Sequence, residues 1–111
     1  MNDDTLDPII HTQARLRIMV TLNTLPEGDQ LTFTRLRDVL GLTGGNFLTH
    51  LRTLQDAGYI ELHQEGTGRG SRTTINLTHR GRSALTNYRA ALHTLLNGDS
   101  AQESESQIHA L

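Results

Sequence analysis

The chain has 111 residues, no cysteine and a net charge of −2, which excludes disulfides, thiolate metal sites and cysteine nucleophiles. Its apolar stretches fall far short of the ~20 residues needed to span a bilayer, and the acidic start Asn2-Asp3-Asp4 has the wrong sign for a secretory leader. One domain with a thin core is expected, in a reducing, cytoplasmic setting, with oligomerisation a natural supplement to its stability.

Residues 8–25 place Ile9, Ile10, Ala14, Leu16, Ile18, Met19, Leu22 and Leu25 at helical spacing, with Asp7 as cap and Pro8 in the first turn. Pro26-Glu27-Gly28-Asp29 reads as a turn, and Leu31-Thr32-Phe33 as a short strand able to pair at a sheet edge. Thr34 is expected to cap a short helix over 35–40, with Leu36, Val39 and Leu40 facing one way and Gly41 ending it in a left-handed conformation. A second helical pattern over 44–57 sets Phe47, Leu51 and Leu54 in one apolar stripe, stopped at Gly58. From Ile60 to Glu65 apolar and polar residues alternate, as in a half-buried strand. The run 66–72 is a glycine-rich, basic loop, and Thr73 to Leu77 alternates again as the second arm of a hairpin. Thr78 is positioned to cap a long last helix reaching Leu96, whose apolar face holds Ala84, Leu85, Tyr88, Ala91, Leu92, Leu95 and Leu96. The acidic, polar ends at 1–6 and 98–111 are expected to be disordered, leaving one domain over 7–97.

This order predicts a mainly α fold with a small β-hairpin wing (α+β), a winged helix-turn-helix. The turn Gly41-Leu42-Thr43 joins two helices at the steep angle of that motif, whose purpose is to present the following helix to the major groove. With Phe47 at the centre of the buried stripe and about 100° per residue, the opposite face holds Gly45, Asn46, Thr49, Arg52 and Thr53, with Leu48 at the border and His50 at the other margin. Arginine pairs with guanine, asparagine with adenine, and threonine with several bases. Glycines at 44 and 45 allow close backbone approach. Thr34, Thr43 and Ser71 join this set as candidate DNA contacts. The wing offers Arg69 and Arg72, which reach phosphates or the minor groove.

Charge is distributed accordingly. Between residues 8 and 98 six acids stand against ten arginines, a local balance of +4, and no lysine occurs. Arginine suits phosphate and guanine edges, although a codon bias towards arginine gives the same composition. Gly66-x-Gly68-x-Gly70 is not a nucleotide-phosphate loop, because that loop needs a helix directly after it and a strand follows here.

The matching stretches Leu6-Asp7-Pro8-Ile9-Ile10-His11 with Arg15-Leu16-Arg17-Ile18, Phe33-Thr34-Arg35-Leu36, Leu42-Thr43-Gly44-Gly45-Asn46-Phe47 with His50, Leu51 and Leu54, Ala57-Gly58-Tyr59-Ile60, and Arg72-Thr73-Thr74 running to Leu77-Thr78 and Gly81-Arg82 span nearly all of 6–96. Together they resemble the short, single-domain winged-helix DNA-binding regulators related to the MarR (multiple antibiotic resistance regulator) group. The resemblance implies a transcriptional regulator, a repressor, acting as a homodimer on a roughly palindromic operator. It pairs through the first and last helices, here about 8–25 and 79–96. Ile9, Ile10, Leu16, Leu85, Tyr88, Leu92, Leu95 and Leu96 are then the candidate dimer interface. Leu48 departs from the group, where a small polar residue is common. The chain lacks the added helices that build a ligand pocket in larger members, so no effector is assigned.

No cofactor, metal, membrane contact or catalysis is expected. His11 and His93 lie on the helices expected to pair, yet no two histidines stand at i, i+3 or i+4, and no Gly-x-Ser-x-Gly elbow or metalloprotease helix occurs. His50 reads as a hydrogen-bonded packing residue. The alternative function is a protein-interaction module on the same fold, against which the arginine wing argues.

Overall fold

A computed structural model describes residues 6–98. Their elements are α1 (Gln13–Asn23), β1 (Leu31–Thr32), α2 (Phe33–Leu40), α3 (Gly44–Asp56), β2 (Ile60–Glu65), β3 (Arg72–Leu77) and α4 (His79–Leu96). The strands form one antiparallel sheet in the order β1-β3-β2. Register pairs Leu31 with Ile75 and Thr32 with Thr74 on one side, and Ile60 with Leu77 through Glu65 with Arg72 on the other. The expected winged helix-turn-helix order is thus observed. The acidic ends fall outside the described residues except for Leu6 and Gly98, and no helix among the described residues is long and apolar enough to cross a membrane.

The core is the sum of the apolar stripes. Ile18, Met19 and Leu22 of α1, Leu36 and Leu40 of α2, Phe47, Leu51 and Leu54 of α3, Leu85 of α4, and Ile60, Ile75 and Leu77 of the sheet meet in one cluster. Phe33 and Phe47 pack with ring centroids 4.8 Å apart and tilted 57°, fastening the start of α2 to α3. Gly41, at φ 69°, turns the chain between these two helices, a conformation that a side chain rarely adopts. Gly81 is required for another reason: a Cβ there would stand 2.2 Å from the Tyr59 carbonyl oxygen, so α4 can reach the start of β2 only without a side chain. Arg82 fixes the same helix to the end of α1, donating to Asn23 Oδ1 at 2.9 Å and to the Leu25 carbonyl at 3.0 Å.

Three local expectations are corrected. The first helix starts at Gln13, not Pro8. Asp7 does cap, its Oδ1 accepting from Ile9 N at 2.8 Å, but it caps a single isolated turn, closed by Ile10 N and His11 N on the Asp7 carbonyl. Thr12 is then extended, at φ −148° and ψ 130°. The Ile9 carbonyl, which a continuous helix would give to Gln13, accepts from Arg15 Nε at 2.6 Å. Thr32, not Thr34, caps α2: its Oγ1 accepts from Arg35 N at 3.1 Å, and Phe33 is already helical. The pairing of Thr32 with Thr74 and the stacking of Phe33 on Phe47 decide between two threonines of equal capping ability. Finally β3 begins at Arg72, and the loop before it contains a single 3-10 turn over Gly68–Gly70.

Candidate nucleic-acid interface

α3 buries Phe47, Leu51 and Leu54 completely and leaves Gly45, Asn46, Thr49 and Arg52 exposed, as its stripe dictates. Thr53 is half-buried; its hydroxyl donates to the Thr49 carbonyl at 3.2 Å, and the Thr49 hydroxyl donates to Gly45 at 3.1 Å. Both hydroxyls therefore spend their protons on the helix and keep only acceptor capacity for any further partner. Thr43 is the N-cap residue, but its side chain makes no capping bond. The first N–H groups of α3 consequently point out of the helix unclaimed by a cap, at its positive end.

Beside α3 the hairpin rises, leaving between them a cleft of about 560 Å³. Arg52 and Leu48 of α3, Thr32, Phe33 and Thr34 at the start of α2, and Leu62, His63, Gln64, Ser71, Arg72 and Thr73 of the hairpin line it. Five of the expected contacts, Thr34, Leu48, Arg52, Ser71 and Arg72, thus share one concavity, with one arginine from α3 and one from the hairpin. Arg69 is exposed within the 3-10 turn at the tip. Arg72 already has a partner: its Nε lies 3.4 Å from Glu65 Oε1, directly across the β2–β3 ladder. Both side chains are solvent-exposed enough that such a pair contributes little.

Behind the exposed face, α3 is held by a network that periodicity did not reveal. Arg15 donates to His50 Nδ1 at 3.1 Å, Thr12 Oγ1 at 2.8 Å, the Ile9 carbonyl at 2.6 Å and the Pro8 carbonyl at 3.5 Å. Burial, and then the Arg15 charge, push the His50 pKa below 6.5, so the ring is neutral and accepts at Nδ1. The Tyr59 hydroxyl donates to Asp7 Oδ2 at 2.5 Å. Burial and this bond push the phenol up to about 12. His11 and buried Tyr88 share a hydrogen bond of 3.0 Å, tying the same N-terminal segment to α4. The sequence carries only a weak pointer, an arginine at 15 in a first-helix pattern that also holds Gln13, Arg17 and Asn23.

The candidate interface residues for a second copy separate into two sets. Ile10, Leu85 and Tyr88 are 0%, 2% and 5% exposed and pack into the protomer's own core. Ile9, Leu16 and Leu92 are half-buried, whereas Leu95 and Leu96 are 54% and 74% exposed.

Comparison with known proteins agrees with this architecture. The winged helix DNA-binding domain family matches residues 14–96. The chain is 31% identical over 80 residues to the uncharacterized protein MJ0432 of Methanocaldococcus jannaschii, covering 72% of this chain and 84% of that one. Among solved structures it is similar to a transcriptional regulator homologue from Pyrococcus horikoshii OT3, with a TM-score of 0.72 and 27% identity over 81% of this chain and 86% of the other. The transcriptional repressor CouR, solved bound to a 23-mer DNA duplex, shares the fold with a TM-score of 0.63 and 22% identity, over 93% and 75% of the two chains. A MarR family regulator of Porphyromonas gingivalis W83 does so with a TM-score of 0.62 and 16% identity, over 81% and 84%. The chain therefore belongs to the winged helix DNA-binding domain family, with the fold of the MarR-type transcriptional regulators.

Proposed function

We propose that the protein is a sequence-specific, double-stranded DNA-binding transcriptional regulator that acts in the cytoplasm as a homodimeric repressor. The observation that carries the reading is the cleft with Arg52 on one wall and Arg72 on the other. A helix in the major groove and a wing in the adjacent minor groove are separated by one sugar-phosphate backbone, and a cleft lined by two guanidinium groups and several hydroxyls suits it. Asn46, Thr49 and Arg52 then face base edges, and Arg69 at the wing tip meets phosphate or the minor groove.

Pairing is assigned to the half-buried and exposed apolar residues of the chain's first and last helical segments, Ile9, Leu16, Leu92, Leu95 and Leu96. Exposed leucines at the end of a helix in so small a domain are natural material for an interface. Two copies would present two α3 helices to half-sites about 34 Å apart. That a protein of this fold, CouR, is solved bound to a DNA duplex supports duplex binding.

The test is fluorescence anisotropy of the full chain on the DNA upstream of its own coding sequence and on random duplex, across a salt series. Salt-sensitive binding that favours the upstream DNA by roughly a hundredfold or more is expected. Absence of binding to either duplex at low salt would overturn the reading.

A further inference from the structure

α3 carries four large apolar residues, and one of them is on the wrong side for packing. Phe47, Leu51 and Leu54 are fully buried, while Leu48 is 36% exposed. It stands one turn before Arg52 and, with it, lines the cleft towards the hairpin. Leu48 therefore sits at the border between two surfaces: the outward polar row of Gly45 and Thr49, and the concavity that suits a DNA backbone.

That border position has a chemical counterpart on DNA. Across the major-groove edge of an A·T pair, the C5-methyl of thymine is the outermost group, beside the backbone of its own strand. A strand whose phosphates lie between Arg52 and Arg72 therefore brings its thymine methyl towards the α3 wall of the cleft. An exposed leucine there can cover a methyl group but can make no hydrogen bond to another base. The apolar side chains of Phe33 and Leu62, lining the same cleft, are suited to the deoxyribose rather than to a charge.

Building on the reading of the protein as a duplex reader, we infer that Leu48 is a specificity-determining residue that recognises the 5-methyl group of a thymine in each half-site. Four residues of helix rise about 6 Å, so this thymine lies within about two base pairs of the position contacted by Arg52, given about 3.4 Å per base step.

The experiment is a thymine scan. Preferred sites are selected from a random duplex pool with the full chain, and each thymine is replaced singly by deoxyuridine, which lacks only the methyl. At one thymine per half-site the replacement is expected to weaken binding about fourfold, the worth of one buried methylene. Leu48→Ala is expected to bind the thymine and uracil duplexes equally, with an unchanged salt slope because no phosphate contact is lost. Leu48→Met keeps an apolar reach and is expected to retain the discrimination. A selected site at which no thymine replacement matters overturns the inference on the wild-type protein alone, leaving the DNA-binding reading intact. A uracil penalty that persists in Leu48→Ala overturns it equally. Failure of the wild-type chain to bind any duplex at low salt overturns both.

Discussion

Removing the Arg15 side chain tests whether the network behind α3 holds the fold together. Arg15 makes three hydrogen bonds of 3.1 Å or less, to Ile9, Thr12 and His50, and a longer one to Pro8. At about 1 kcal/mol net for each of the three shorter bonds, Arg15→Ala should cost about 3 kcal/mol. For a domain of this size that lowers Tm by roughly 12–24 °C. Urea titration followed by circular dichroism measures it, at one protomer concentration for all variants because association shifts apparent stability. A cycle with His50→Ala isolates the Arg15–His50 bond, and a coupling of about 1 kcal/mol is expected for residues in direct contact. The pH dependence supplies a second readout. His50 is held below 6.5 in the folded state, first by burial and then by Arg15, so below that pH the unfolded chain binds the extra proton first. Its stabilising contribution is complete above pH 6.5 and is lost as pH falls through 6.5 towards the depressed folded value. In Arg15→Ala the His50 titration, followed by NMR, should move up while staying below 6.5, because burial remains. A loss under about 1 kcal/mol on Arg15→Ala, or a cycle with no coupling, would refute the network's role.

Other perturbations follow from single observations. Gly81→Ala would raise helix propensity by about 1 kcal/mol, yet the clash with the Tyr59 carbonyl predicts net destabilisation of about 1–3 kcal/mol, and denaturant titration gives the sign. Leu95→Asp with Leu96→Asp should leave the protomer folded, since both side chains are exposed, and shift sedimentation from dimer to monomer; an unchanged mass would remove these leucines from the interface. Arg69→Ala with Arg72→Ala should weaken binding to all duplexes alike and flatten the salt slope by about 1.8 units if each meets one phosphate. Tyr59, pushed up to about 12, contributes stability that is complete below pH 10 and lost as pH rises through 12; Asp7→Asn should bring its absorbance titration down.

What was legible in the sequence was whatever periodicity and local capping encode. The stripe of Phe47, Leu51 and Leu54, the left-handed Gly41 and the cap at Thr78, whose Oγ1 accepts from Gly81 N at 2.9 Å, each depend on neighbours a few residues away. The misplaced start of α1 had a cause that no local pattern holds: the Arg15 side chain competes with the backbone for the Ile9 carbonyl. Thr32 and Thr34 are indistinguishable as caps until the sheet register is known. The Glu65–Arg72 pair likewise becomes visible only when β2 and β3 are laid side by side. Periodicity identified the apolar face of α4, but it cannot tell a residue covered by its own domain, such as Leu85, from one left open, such as Leu96.

The net charge of −2 does not oppose the proposed role, because screening makes charge a local property at about 8 Å in physiological salt. Five of the twelve acids, Asp3, Asp4, Asp99, Glu103 and Glu105, belong to the sequence outside the described residues. Of the remaining acids, Asp7 is engaged by Tyr59, Glu61 by Asn76 and Asp38 by Arg37. The acid that bears on orientation is Asp56, exposed at the last position of α3. Its charge repels phosphate at the helix end that the macrodipole already makes negative, while the opposite end carries the uncapped N–H groups after Thr43. The two effects add. On the proposed reading they favour entry of α3 into the groove by its N-terminus, which would bring Gly45, Asn46, Leu48, Thr49 and Arg52 to the bases and leave Thr53, already half-buried and bonded to Thr49, at the margin of the contact.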